Sequence, residues 1–86
     1  MRLLGSEAAC GTSSGAASNF SEADDVRLVN SGSTNRLVTV TDSSGNTVAT
    51  FTLIAGEVTF LRKKREEKIF AAHAEILLTK VNPRVI

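Results

Sequence analysis

Hydrophobic and polar positions alternate through most of the chain from Val26 onward, and the alternation has a period of two. Val26, Leu28 and Asn30 interleave with Arg27 and Val29, and Ser31-Gly32-Ser33 then marks a turn. RLVTVT, residues 36–41, is dense in β-branched side chains that suit a pleated surface. Asp42-Ser43-Ser44-Gly45-Asn46 follows, with a glycine suited to positive φ, and leads into TVATFTLI. These two runs predict a hairpin. In its second strand Ala49, Phe51 and Leu53 share one face, and Val48, Thr50 and Thr52 share the other. Ala55-Gly56 makes the next turn before EVTFL, so the pattern predicts a three-strand meander. Val48, Phe51, Leu53, Val58 and Phe60 are its candidate core residues.

The last third is ambiguous by pattern. Ile69, His73, Ile76 and Leu77 sit at helical spacing, but KIFA and ILLTKV also read as strands around a turn near Ala72-His73-Ala74. The β surroundings and the β-branched Ile76, Thr79 and Val81 favour strands, with Pro83 ending the last one. Adding RLL at the N-terminus as an edge strand, the fold class is all-β. The expected architecture is a small antiparallel β-sandwich or barrel of about six or seven short strands.

Residues 1–25 have a different texture. GSEAACGTSSGAASNFSEADD is small and polar, and cannot bury enough apolar surface to offset the entropy of ordering it. An extended Gly/Ser/Ala-rich arm over 1–25 and a β domain over 26–86 is the expected division, with the arm ordered by a neighbouring subunit. Arg2, Leu3-Leu4 and Ala-Ala-Cys faintly suggest a signal peptide, yet Glu7 interrupts the apolar segment of roughly 7–15 residues that such a signal needs.

Composition narrows the chemistry. Ten Lys+Arg against nine Asp+Glu leave a net charge of +1, which supplies no field to attract nucleic acid or an anionic membrane. With four Phe and no Trp or Tyr, the core rests on Val, Leu, Ile and Ala. A domain of 86 residues built this way is marginal alone. Its single Cys10 and single His73 rule out an internal disulfide and a usual zinc site, so no metal or cofactor is expected and a protein partner is. Catalysis by His73 would need a Ser or Cys and an orienting acid beside it, and the serines fall in turns and the arm. Cys10 reads as a small buried residue. Glu22, Asp24 and Asp25 read as a solvated hinge, since their spacing fits no calcium loop. The chain is not read as an enzyme. Arg62, Lys63, Lys64 and Arg65 could neutralise phosphates, but Glu57, Glu66 and Glu67 stand close by and no aromatic residue interleaves to stack on a base. A charged turn or a salt-bridged subunit contact is the favoured reading of that block.

The order of parts resembles small virion structural proteins of tailed bacteriophages, of the marine-phage type. The resemblance lies in RLLG at the start, the Ser/Ala-rich arm, VRLVNSGSTNRLVTVTDSSGNTVATFTLIAGEVTFLRK and KIFA…LLTKV, covering about residues 1–5 and 26–81. RKKREE departs from the pattern, in which a Pro- or Asp-containing turn stands there. The resemblance implies a subunit of the particle that cements or decorates the capsid by bridging major-capsid subunits, located in the virion after assembly in the host cytoplasm. A neck or tail ring of arm-swapped protomers is the alternative, and a nucleic-acid module using Arg62–Arg65 comes third. The implied partners are the major capsid protein or other virion subunits and further copies of the chain, with no membrane. Leu3, Leu4 and Phe20 in the arm, with Arg62, Lys63, Lys64 and Arg65, are the candidate contact residues.

Overall fold

The computed structural model describes residues 2–20 and 23–82. Within them the chain is all-β, with two antiparallel sheets stacked as a small sandwich. Six strands carry it: β3 (Asp25–Asn30), β4 (Arg36–Thr41), β5 (Thr47–Leu53), β6 (Val58–Arg62), β7 (Lys68–Ala71) and β8 (Ile76–Asn82). Two two-residue strands precede them, β1 (Arg2–Leu3) and β2 (Ala8–Ala9), with a single 3-10 turn at Ser14–Ala16. The first sheet runs β1-β8-β3-β6, with β2 pairing along the same β8; the second runs β5-β4-β7. KIFA and ILLTKV are therefore strands, and the turn between them falls at residues 72–75. Pro83 lies outside the described residues.

Strand alternation delivers the core. Val26 and Leu28 of β3 and Ile76 and Leu78 of β8 face Val38 and Val40 of β4, Ile69 and Ala71 of β7 and Leu53 of β5. Small β-branched and aliphatic side chains on both inner faces interdigitate without a large aromatic at the centre. Phe20, Phe51 and Leu61 pack against the margin of this cluster.

The predicted β4–β5 hairpin is present, registered Val38↔Phe51 and Thr39↔Thr50. The meander is not: β6 leaves β5 and pairs with β3, Val29↔Val58 through Asp25↔Arg62, in the other sheet. The cause lies at Asn30, which is fully buried. Its Nδ2 donates to the carbonyls of Thr34 (2.7 Å) and Leu53 (2.9 Å), and its Oδ1 accepts from Gly32 N–H at 3.0 Å. Its main chain donates to Glu57 O and accepts from Gly56 N–H, both at 3.0 Å. Gly56 provides the positive φ (78°) that turns the chain there. The end of β5 is thus tied to β3, and the following turn is hung on β3 as well, so β6 is delivered to β3.

That crossover also corrects the expected core. Leu53 is buried and Phe51 half-buried, but Val48 and Phe60 are each 54% exposed and Val58 is exposed too. Once β6 pairs with β3, Val58 and Phe60 stand opposite Val29 and Arg27 on the outer face of the first sheet. Val48 is the extra residue of a bulge opposite Val40 and Thr41.

Replacing Asn30 with Leu keeps the bulk but strands the carbonyls of Thr34 and Leu53 and the Gly32 N–H, each unmet buried group costing about 1–3 kcal/mol. Against the ~4–13 kcal/mol that a domain of this length holds, Asn30→Leu is expected to lower stability by about 3 kcal/mol or more. A urea titration followed by circular dichroism measures this as a drop in midpoint at unchanged slope.

Candidate functional site

Residues 2–20, read from sequence as an arm, run along one side of their own sandwich. Leu4 N–H donates to Lys80 O (2.8 Å) and Cys10 N–H to Ile76 O (2.8 Å), continuing the β1 and β2 pairings along β8. The chain then crosses to the second sheet, where Gly11 O accepts from Ala71 N–H (2.9 Å) and Ser18 exchanges both backbone bonds with Ile69. Gly11 is needed at the crossing, because a Cβ there would collide with the Ala16 carbonyl. Glu7 reaches across β8 to Arg27 of β3 at 3.0 Å. One side of the sandwich is therefore closed by backbone bonds to β8 and β7.

Cys10 is 3% exposed in this seam, beside the Ile69 carbonyl. Burial pushes its thiol up to about 12, the opposite of what a nucleophile needs. A groove of about 540 Å³ follows the seam, lined by Leu4, Ala8, Ala9, Phe20, Leu78 and Lys80 among others. Phe20 takes a positive φ (54°), and its ring packs against the core margin, while Leu3 and Leu4 are exposed.

The basic block is split by the fold. Lys63 is 7% exposed, which corrects its place among the contact candidates. It immediately follows the last residue of β6, where its N–H bonds Asp24 O and its ammonium turns inward to the carbonyls of Ala23 (2.7 Å), Lys64 (3.2 Å) and Arg65 (3.4 Å). Desolvation pulls its pKa below the usual lysine range, with Glu67 and Asp24 opposing that shift. Arg62 pairs with Asp25 (3.1 Å), which holds the guanidinium pKa up, and Arg65 pairs with Asp24 (3.3 Å). Lys64 is exposed, and its N–H is capped by Glu67 Oε1 at 2.7 Å. Asp24 and Asp25, taken from sequence as a hinge, are the partners of the basic block. Together these groups form a charge-matched corner, with little left over for a phosphate.

His73 sits in the β7–β8 turn, half exposed, and its Nδ1 accepts the Glu75 N–H at 3.1 Å. Glu75 in turn holds Arg36 at 2.6 Å and lays its carboxylate over Gly32, where a Cβ would displace it. The imidazole acts as a turn acceptor. Among the described residues, no three His, Cys, Asp or Glu side chains converge on a metal-sized site.

The opposite side of the sandwich is open. Among the described residues β5 pairs only with β4 and β6 only with β3, so each presents a strand edge without a partner there. The turn at residues 54–57 joins them, and Val48 of β5, Ile54 of the turn and Val58 and Phe60 of β6 are exposed. Sequence reasoning assigned three of these to the core and missed the surface they make. The fold class is a small β-sandwich in which, among the described residues, the N-terminal segment pairs along β8 and β7 while the β5 and β6 edges carry no strand partner. Compared with protein-family models, curated proteins and solved structures, the chain finds no match.

Lys63→Met keeps the aliphatic stem but leaves three carbonyls without their donor, and is expected to cost about 1–3 kcal/mol, whereas Lys64→Ala should stay within ~0.5 kcal/mol. Equal losses in urea titrations of the two variants would contradict this division of the block. Cys10 gives a pH dependence. The unfolded thiol ionises near 8.5 and the folded one at about 12, so the stability it contributes is complete below the lower value and lost as pH climbs through the upper. The gap in stability between the wild-type chain and Cys10→Ala should therefore narrow across that window, measured by denaturant titration at stepped alkaline pH.

Proposed function

We propose that the chain is a structural subunit of a tailed-phage particle, acting as a capsid decoration or cement protein. The reading rests on the resemblance of residues 1–5 and 26–81 to small virion structural proteins. The observation that carries it within the fold is the pair of strand edges, β5 and β6, that have no strand partner among the described residues, on elements where Val48, Ile54, Val58 and Phe60 are exposed. Exposed edges with apolar side chains are a hazard on a free monomer and an asset on a subunit that is covered in an assembly. Many symmetric copies, each burying a modest area, multiply their hold on a shell through avidity. In this reading the major capsid protein is the partner, and exposed Leu3 and Leu4 add apolar contact at the closed side.

A second reading, a neck or tail ring, draws on the N-terminal segment. Its backbone bonds to β7 and β8 are ones that the same segment of a neighbouring copy could supply, which is the geometry of an arm swap. Binding of nucleic acid through Arg62–Arg65 is disfavoured, because Lys63 is buried and Arg62 and Arg65 are paired with aspartates.

Electron microscopy of particles carrying a gold-labelled copy of the chain tests this directly. Label distributed over the head is the expected result. Label confined to the neck or tail would favour the ring, and particles devoid of label would overturn both.

A further inference from the structure

We infer that β5 is a self-pairing edge, through which two copies of this chain join their three-stranded sheets into one antiparallel six-stranded sheet about a two-fold axis. The inference concerns the isolated protein and holds or fails independently of any place in a particle.

Four observations lead to a second copy as the occupant. First, β5 offers an unprotected edge: Thr47–Leu53 contains no charge, no proline and no glycine. The neighbouring edge, β6, ends in exposed Arg62 and is flanked by Glu57 and Lys64. Charged residues are the usual guard against edge pairing, and only β6 has them. Second, the bulge at Val48 bends the start of β5 and leaves residues 49–53 regular, enough for a short ladder.

Third, the inward face of β5 is incompletely covered in the single chain. Ala49 alternates with core-facing Phe51 and Leu53, yet Ala49 is exposed and Phe51 only half-buried. Fourth, a two-fold axis at Thr50 supplies the missing cover. That register sets Phe51 of each copy opposite Ala49 of the other, a large side chain against a small one, both on the core face. It places Thr50 against Thr50 on the outer face, and the regular ladder spans residues 49–51, since Thr52 meets the bulged Val48. Antiparallel pairing about an axis on a residue keeps like faces together, so neither sheet turns its core side to water. No charge opposes another, since the strand has none.

A single ladder of this length falls short of the roughly 800 Å² per partner of a standard interface. The contact is isologous and closes at two copies. Its modest size predicts a dimer in the micromolar range rather than a tight one.

Sedimentation equilibrium on the full chain, over micromolar to submillimolar concentrations, provides the test. A dimer is expected for the wild-type chain. Thr50→Lys, at an exposed and outward-facing position, sets two ammonium groups against each other on the axis and should weaken it roughly tenfold or more, with circular dichroism unchanged. Thr50→Cys is the complementary variant: Cys10 is buried, so mild oxidation should give a covalent dimer through the introduced thiol alone. A wild-type chain that stays monomeric throughout would overturn the inference. So would a dimer that survives Thr50→Lys, or a Thr50→Cys chain that fails to cross-link on the dimer.

Discussion

Burying the side-chain amide of Asn30 is the constraint on which the rest of the sandwich depends. An amide with no water around it must find partners for two N–H groups and an oxygen, or destabilise the fold by several kcal/mol. Here the partners are carbonyls of Thr34 and Leu53 and the N–H of Gly32, so the turn after β3 and the end of β5 are drawn to one point. The main chain of the same residue takes the turn at Gly56 and Glu57. No apolar residue at position 30 could dictate this path, because dispersion contacts carry no direction. The amide therefore selects one topology among several that would bury the same aliphatic side chains.

From that selection follows the difference between the two sides of the molecule. With β6 sent to β3, the two sheets end at β5 and β6 on one side, and on the other at β7 and at the short β1 and β2 that pair along β8. The second side is closed by residues 2–20, whose small side chains let the backbone approach both sheets closely enough for hydrogen bonding. Entropy opposes ordering such a segment, and ladder bonds together with buried Cys10 offset that cost. At the far end of β6, Lys63 spans the same problem with a cation. Its ammonium satisfies the carbonyls of Ala23, Lys64 and Arg65, where no strand partner is available.

The strands themselves were legible in the sequence, because period-two alternation and turn glycines are local signals. RLVTVT and TVATFTLI announced their hairpin, and KIFA and ILLTKV resolved as strands from their neighbours and β-branched content. Pairing was not legible. Nothing in EVTFL separates continuing a meander beside β5 from crossing to β3, since both bury the backbone edge of β6 equally well. The deciding residue, Asn30, looked like one more member of an alternating run, and its burial was the missed signal: a polar residue at an inward position. Val58 and Phe60 were misplaced for the same reason, as a change of sheet exchanges the face that meets the core. The basic block misled in another way. Four adjacent cations suggest one surface, but a strand alternates its side chains, and Lys63 falls inward while Arg62 and Arg65 meet Asp25 and Asp24.

Charge and apolar surface are thus segregated by the fold rather than by the sequence. The ionic groups are largely paired near strand ends: Arg62 and Arg65 with the aspartates, Arg36 with Glu75, Arg27 with Glu7. Among the described residues, β5 leaves a backbone edge without charge. Such a surface recognises shape and strand register, not charge, and its association should depend little on salt. A partner read by register has to present a strand edge of its own, and the nearest source of a matching uncharged strand is another copy of the same chain. For a subunit that works in many copies, this is an economical arrangement: one edge is sealed within each molecule, and the other is kept for its neighbours.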